Sequence, residues 1–208
     1  MKQIIKLPEP ESFVKWKEEN PGADYNKLKG DEKQELKEAL IKEQKHICCY
    51  CECRIIAEES HIEHFKPKDQ TRFPELQLAY ENLHASCIIR PTHDEDEHCG
   101  HRKGNYYSDD LIDPSEENCD SYFAYALDGE IKSRQPDDKR ATETIRKLHL
   151  DSTLLNKKRK SLIDYFLYDL GDDLELLDAE LEFHLDENKD ELGEFFTMIS
   201  YLKNNQKF

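Results

Sequence analysis

Apolar residues recur at helical spacing toward both ends of the chain and lose that rhythm in the middle. Near the start, Gly30-Asp31 followed by Gln34 forms a D-x-x-Q start signal, with Leu36, Ala39 and Leu40 behind it, which predicts a short arm and then a helix. Within 152–170, Leu154, Leu155, Leu162, Ile163, Phe166, Leu167 and Leu170 fall on one helical face. Leu174, Leu177, Leu181 and Leu185 repeat the pattern, and Phe195, Phe196, Ile199 and Leu202 predict a final helix. The stretch "SYFAYALDGEIKS" sets Asp128-Gly129 between apolar runs, a β-hairpin signal. From His46 to about Pro114 regular periodicity fades while cysteine and histidine concentrate, as in a small unit held by ligands more than by a large core. The expected layout is an arm and helix over 1–45, a ligand-held centre over 46–115, and a hairpin with a helical region over 116–208. The fold class is α+β, mostly helical.

Charge changes this picture only locally. The net charge of -16 argues against a polyanionic partner, but twelve acidic residues and one lysine between Asp169 and Glu194 account for -11 of it. The rest carries lysines and arginines in clusters, including Lys66, Lys68 and Arg72, then Arg102 and Lys103, and local patches govern binding more than the sum does. The acidic segment reads as a solvated face, as a docking surface, or as a mask over those basic patches. With no long apolar run and no signal-type h-region in "MKQIIKLPEPESF", the expectation is a cytoplasmic protein with no membrane partner.

Seven cysteines in a reducing compartment suggest metal before disulfides. Cys48-x-x-Cys51 has the spacing of a zinc knuckle, in which a tight turn aims two thiolates at one ion. Cys87 and Cys99 are the expected second pair, with "IIRPTHDEDEH" looped out between them and His93 or His98 as substitutes. Cys49, Cys53 and Cys119 read as bystanders.

A second chemistry starts at "HIEHFKPK", residues 61–68. Glu63 and His64 are adjacent, so a regular strand would aim them at opposite faces, and one shared site requires a bend. Asn82-Leu83 follows, and "CGHRKGN" adds His101 and Lys103. A neutral imidazole suits proton abstraction from water, and a carboxylate with an open shell of water and substrate oxygens suits Mg²⁺ or Mn²⁺.

The ordered set "CCYCE", "SHIEHFKPK", "ENLHASC" and "CGHRKGN" resembles the HNH (ββα-metal) endonucleases. It is closest to the PtuB group of Septu and retron-associated antiphage systems. The resemblance covers roughly residues 47–105. It implies a small zinc-stabilised ββα-metal core, with His64 as general base, Asn82 fixing the loop, and Glu63 and His101 as ligands of the catalytic Mg²⁺ or Mn²⁺. His101 is taken for the helix ligand because Gly100 stands where many HNH proteins carry it. Cys48, Cys51, Cys87 and Cys99 would hold structural Zn²⁺, and Lys66, Lys68, Arg102 and Lys103 would contact phosphates. His61 reads as local support for the strand, or as an addition to the metal site. Implied partners are nucleic acid (DNA, or RNA including tRNA), a PtuA-like ABC/SMC-type ATPase, and in retron versions a reverse transcriptase with its RNA and DNA. The other reading is a zinc-stabilised binding or adaptor subunit without catalysis.

Overall fold

Two helices stand where the sequence pattern predicts one. The computed structural model describes residues 1–69, 71–88, 96–170 and 173–208. In it α1 (Glu11–Glu19) buries Phe13 and Trp16, and α2 (Gly30–Glu43) buries Leu36, Leu40 and Ile41. Two aromatic anchors between Pro10 and Asn20 are too sparse a pattern to reveal α1. The D-x-x-Q signal is also displaced. Lys29 is the N-cap of α2, and Asp31 lies in the first turn, where a carboxylate meets the positive end of the helix dipole without capping it.

The centre contains two strands and a short helix. β1 (Ser60–His64) pairs antiparallel with β2 (Leu83–Cys87), from Ser60 opposite Cys87 to His64 opposite Leu83. α3 (Cys99–Lys103) packs against β2. The Asp128-Gly129 hairpin forms as expected, with β3 (Phe123–Tyr125) against β4 (Ile131–Ser133). Gly129 has φ +86°, and a Cβ there would lie 2.2 Å from the Asn156 carbonyl oxygen. Gly129→Ala is therefore expected to destabilise the protein by at least ~2 kcal/mol, read as a lowered thermal midpoint.

The C-terminal helices follow the leucine pattern. α4 (Lys139–Leu148) precedes α5 (Thr153–Asp164), whose register loosens into a π-helical turn over Tyr165–Asp169. α6 (Leu174–His184) buries Leu177 and Leu181, and α7 (Phe196–Asn204) buries Phe196, Ile199 and Leu202. One departure is Leu174, which is 70% exposed at the start of α6 instead of joining the buried face. One apolar cluster draws on all three sequence segments, from Phe13 and Leu36 through Leu83 to Ile199 and Leu202. No described helix is long and apolar enough to cross a membrane.

Candidate active site and metal centre

The cysteine site is built by a knuckle docked onto β2. Ile47 bridges Arg54, Cys48 N–H donates to the Cys53 carbonyl at 2.9 Å, and Glu52 closes the turn at φ +63°. Gln44, just beyond α2, fixes this knuckle to β2. Its amide accepts from Ala85 N–H at 2.7 Å and donates to the Ala85 and Ile47 carbonyls at 2.8 and 2.9 Å. Cys48, Cys51, Cys87 and Cys99 are thereby buried with their sulfurs all within 4.8 Å of one another. Four thiolates around one tetrahedral Zn²⁺ with bonds near 2.3 Å would stand ~3.8 Å apart, and Cys51 and Cys87 are 3.8 Å apart already. Burial would raise the Cys48 thiol, but contacts with Cys49, Cys87 and Cys99 pull it well below the usual range. The donor set fits a closed structural zinc site, and it joins the Cys48-x-x-Cys51 knuckle to the expected second pair, Cys87 and Cys99.

His98 does not replace a cysteine in this group. Its Nδ1 lies 3.0 Å from Cys99 Sγ and 3.9 Å from Cys87 Sγ, where it can donate to thiolates. His93, and the loop residues 89–95 that include it, lie outside the described residues.

Beside this centre a cleft of about 340 Å³ opens at the end of β1, lined by Tyr25, Lys33, His61, Ile62, Glu63, His64, Pro67, Lys68 and residues of the α3 region. The expected bend is absent, because the β1–β2 ladder is regular through His64. Glu63 and His64 reach one cleft because it wraps around the strand's end.

His64 is buried, with its ring edge-on to Tyr25 at 4.5 Å. Its Nε2 lies 3.0 Å from the Gln77 carbonyl oxygen. A carbonyl only accepts, so this contact puts the proton on Nε2 and leaves the Nδ1 lone pair free. Burial pushes the imidazole down to about 4, so it is neutral at neutral pH. Asn82 clamps the segment that follows. Its Oδ1 accepts from Lys66 N–H at 2.8 Å, and its Nδ2 donates to the Lys66 and Leu76 carbonyls at 2.9 and 3.0 Å. These bonds tie the segment after β1 to the turn before β2.

Glu63 is buried in a polar shell. Tyr50 OH donates to Oε1 at 3.2 Å, Lys103 Nζ lies 2.8 Å from the same oxygen, and His61 Nε2 lies 3.3 Å from Oε2. Burial alone would raise the carboxyl, yet His61 and Lys103 hold it down at about 2, so Glu63 is charged. A charged carboxylate oxygen with an imidazole nitrogen 3.3 Å away is a donor pair of the kind a divalent ion takes. A Cβ on Gly100 would lie 2.6 Å from Oε2, so α3 brings bare backbone up to this oxygen.

The basic residues separate on folding. Lys68 and Arg102 are exposed, and Lys66 is half-buried with its Nζ over the Tyr107 and Phe73 rings at 5.4 and 5.8 Å. Lys103 sits in the interior, donating to the His64 carbonyl at 2.8 Å and pairing with Glu63, so in this arrangement it braces the site instead of facing a ligand. His101 is exposed and lies flat against His61, ring centres 5.2 Å apart. Sequence reasoning missed Tyr25 and Lys33. They come from the N-terminal arm and α2, far from the motifs, and only packing brings them to His64 and Lys68.

A strand–strand–helix unit that joins a four-cysteine centre to an acidic-histidine cleft carries all the motifs that suggested an HNH endonuclease. Comparison with curated proteins bears out that likeness. The chain is 30% identical over 130 residues to the protein assigned as the HNH endonuclease of retron Vc95 from Vibrio cholerae, covering 60% of this chain and 62% of that protein. It is 28% identical over 138 residues to its counterpart in retron Ec83 of Escherichia coli, covering 62% and 48%. Septu protein PtuB of Bacillus thuringiensis is likewise similar, 30% identical over 123 residues, covering 56% and 41%. The chain thus spans between two fifths and three fifths of the length of these relatives. No protein-family model matches it.

Proposed function

We propose that this protein is a metal-dependent HNH endonuclease subunit that hydrolyses phosphodiester bonds of nucleic acid in antiphage defence. The observation that carries the reading is His64: its Nε2 is committed to a backbone carbonyl, and the neutral imidazole lines a cleft shared with a charged carboxylate. His64 Nδ1 takes the proton from a water as that oxygen bonds to phosphorus and the P–O3′ bond breaks. Asn82 holds the backbone beyond His64, and Lys66, Lys68, Lys33 and Arg102 supply positive charge for the phosphates. Glu63 would hold the divalent ion (Mg²⁺ or Mn²⁺), which supplies charge neutralisation at the phosphate and the leaving oxygen. Zinc at the cysteines is structural and separate.

The names of the relatives place them in retron and Septu systems, which supports a defence role and a PtuA-like ATPase partner. For docking, Leu174 and Phe183 are 70% and 64% exposed within the acidic region, and Tyr168 just before it is 73% exposed. Ion pairs of that region among the described residues run from Glu187 to Lys2 and from Glu191 to Arg54, away from the cleft. These contacts favour a docking or structural face over a mask. The test is a nuclease assay on DNA and tRNA-type substrates, with and without the ATPase, in Mg²⁺ and in EDTA. Cleavage that survives EDTA would refute the metal dependence.

Charge balance gives a second expectation. Lys103 already shares the charge of Glu63, so an ion in the cleft is short of negative charge until a phosphate arrives. Divalent-ion affinity is expected to be weak for the free protein and to tighten with bound nucleic acid. Titrating Mn²⁺ with and without an oligonucleotide on the His64→Ala variant measures this, and by linkage the ion must strengthen nucleic-acid binding by the same factor.

A further inference from the structure

We propose that His61, and not His101, is the imidazole that joins Glu63 in holding the divalent ion, and that residue 100 is glycine because any side chain there would crowd both donors. This rests on the metal-dependent reading above and assigns its second protein ligand.

The first argument is the spacing of the donors. Two adjacent ligands of an octahedral ion with bonds near 2.1 Å stand ~3.0 Å apart. His61 Nε2 and Glu63 Oε2 are 3.3 Å apart, within a small adjustment of that separation. They are two residues apart on a regular strand, so both side chains leave the same face. Lys103 occupies the other oxygen of Glu63 and leaves Oε2 facing His61.

The second argument is Gly100. A Cβ on Gly100 would sit 2.5 Å from His61 Nε2 and 2.6 Å from Glu63 Oε2, facing both donors at once, and 2.9 Å from His61 Cε1. That position stands beside the nitrogen, so a side chain at residue 100 would push on both donors at once. Gly100 has an ordinary helical backbone and shows no positive φ, so conformational freedom does not explain the glycine. Space does.

The third argument is the poor hydrogen bonding of His61 within the protein. Its Nε2 contact with Glu63 at 3.3 Å is long for N–H···O, so no strong hydrogen bond competes with an ion for that nitrogen. His101 lacks these features. It is exposed, is absent from the cleft lining, and meets the flat face of the His61 ring at an interplanar angle of 5°. It packs beside the His61 ring without reaching the cleft.

The experiment is Mn²⁺ binding by the zinc-loaded full chain, followed by loss of the free-ion EPR signal, together with Mn²⁺-induced broadening of histidine ring resonances by NMR. His61→Ala is expected to weaken Mn²⁺ binding by on the order of 100-fold, at the top of the range for loss of even a supporting partner. Gly100→Ala should weaken it comparably although every donor is retained, and His101→Ala should change it little. In the wild type, His61 resonances should broaden before those of His101. Mn²⁺ binding that survives His61→Ala but not His101→Ala would overturn the assignment, as would wild-type affinity in Gly100→Ala. Should a variant lose zinc or fold, the wild-type order of broadening decides. Uptake unaffected by Glu63→Gln would instead remove the underlying metal reading, because the ion would then sit on the acidic surface.

Discussion

Replacing His64 with alanine is expected to lower phosphodiester cleavage by on the order of 10²–10⁴-fold, the usual contribution of a positioned general base. The direction follows from its two nitrogens. Nε2 is spent on the Gln77 carbonyl, so Nδ1 is the nitrogen left to accept a proton. Burial keeps the ring neutral, so it is ready to act without first losing a proton. His64→Gln separates chemistry from structure, because a glutamine amide can still donate to Gln77 but cannot take a proton from water. Both variants should retain zinc, melt near the wild-type temperature and bind nucleic acid, while losing turnover. Equal cleavage by wild type and His64→Gln would eliminate His64 as the base and favour the non-catalytic binding subunit. Loss of nucleic-acid binding alongside turnover would recast His64 as part of the binding surface.

What could be read from the sequence divides by the range of the interactions. The four clustered cysteines were legible because a C-x-x-C turn has a short-range geometric meaning and a tetrahedral site needs two more thiols. The hairpin at Gly129 and the leucine-lined helices were legible because their signals are local and periodic. Asn82 was legible by position, and its three hydrogen bonds give that position a reason. Lys103 misled. Next to Arg102 in a basic run it reads as a phosphate contact, but one helical residue later the side chain turns inward to Glu63. The surroundings of His61 were hidden for the opposite reason, since nothing in "HIEHF" reveals that Gly100, 39 positions on, presents a bare backbone to it. Tyr25 and Lys33 were invisible because their proximity to His64 and Lys68 is purely tertiary. Gln44, the bolt between knuckle and β2, left no trace beyond being a glutamine after a helix.

Removing one ligand of the cysteine centre is expected to cost the fold itself. Structural zinc contributes ~10–16 kcal/mol of apparent binding free energy, and a domain of ordinary size has only ~5–15 kcal/mol of net stability. The two are comparable, so Cys51→Ser or Cys87→Ser should yield a chain that no longer melts cooperatively and binds less than one equivalent of zinc. The effect should exceed that of any other single substitution here because the site ties together three pieces of the chain. Cys48 and Cys51 come from the knuckle, Cys87 ends β2, and Cys99 begins α3. Without the ion, four buried thiols would repel or desolvate one another, and α3, only five residues long, has too few turns to persist alone. Gly100 and Lys103 ride on α3, so the cleft should vanish with the zinc, and chelation should abolish Mn²⁺ uptake as well as the fold. Cys119→Ala is the control. That thiol is buried against the Met1 and Pro114 carbonyls, outside the cluster, and its loss should leave zinc stoichiometry at one. Atomic absorption and circular dichroism on the three variants measure the outcome. Full zinc content in Cys87→Ser would show that His98, 3.9 Å from Cys87 Sγ, can serve as the fourth ligand in its place.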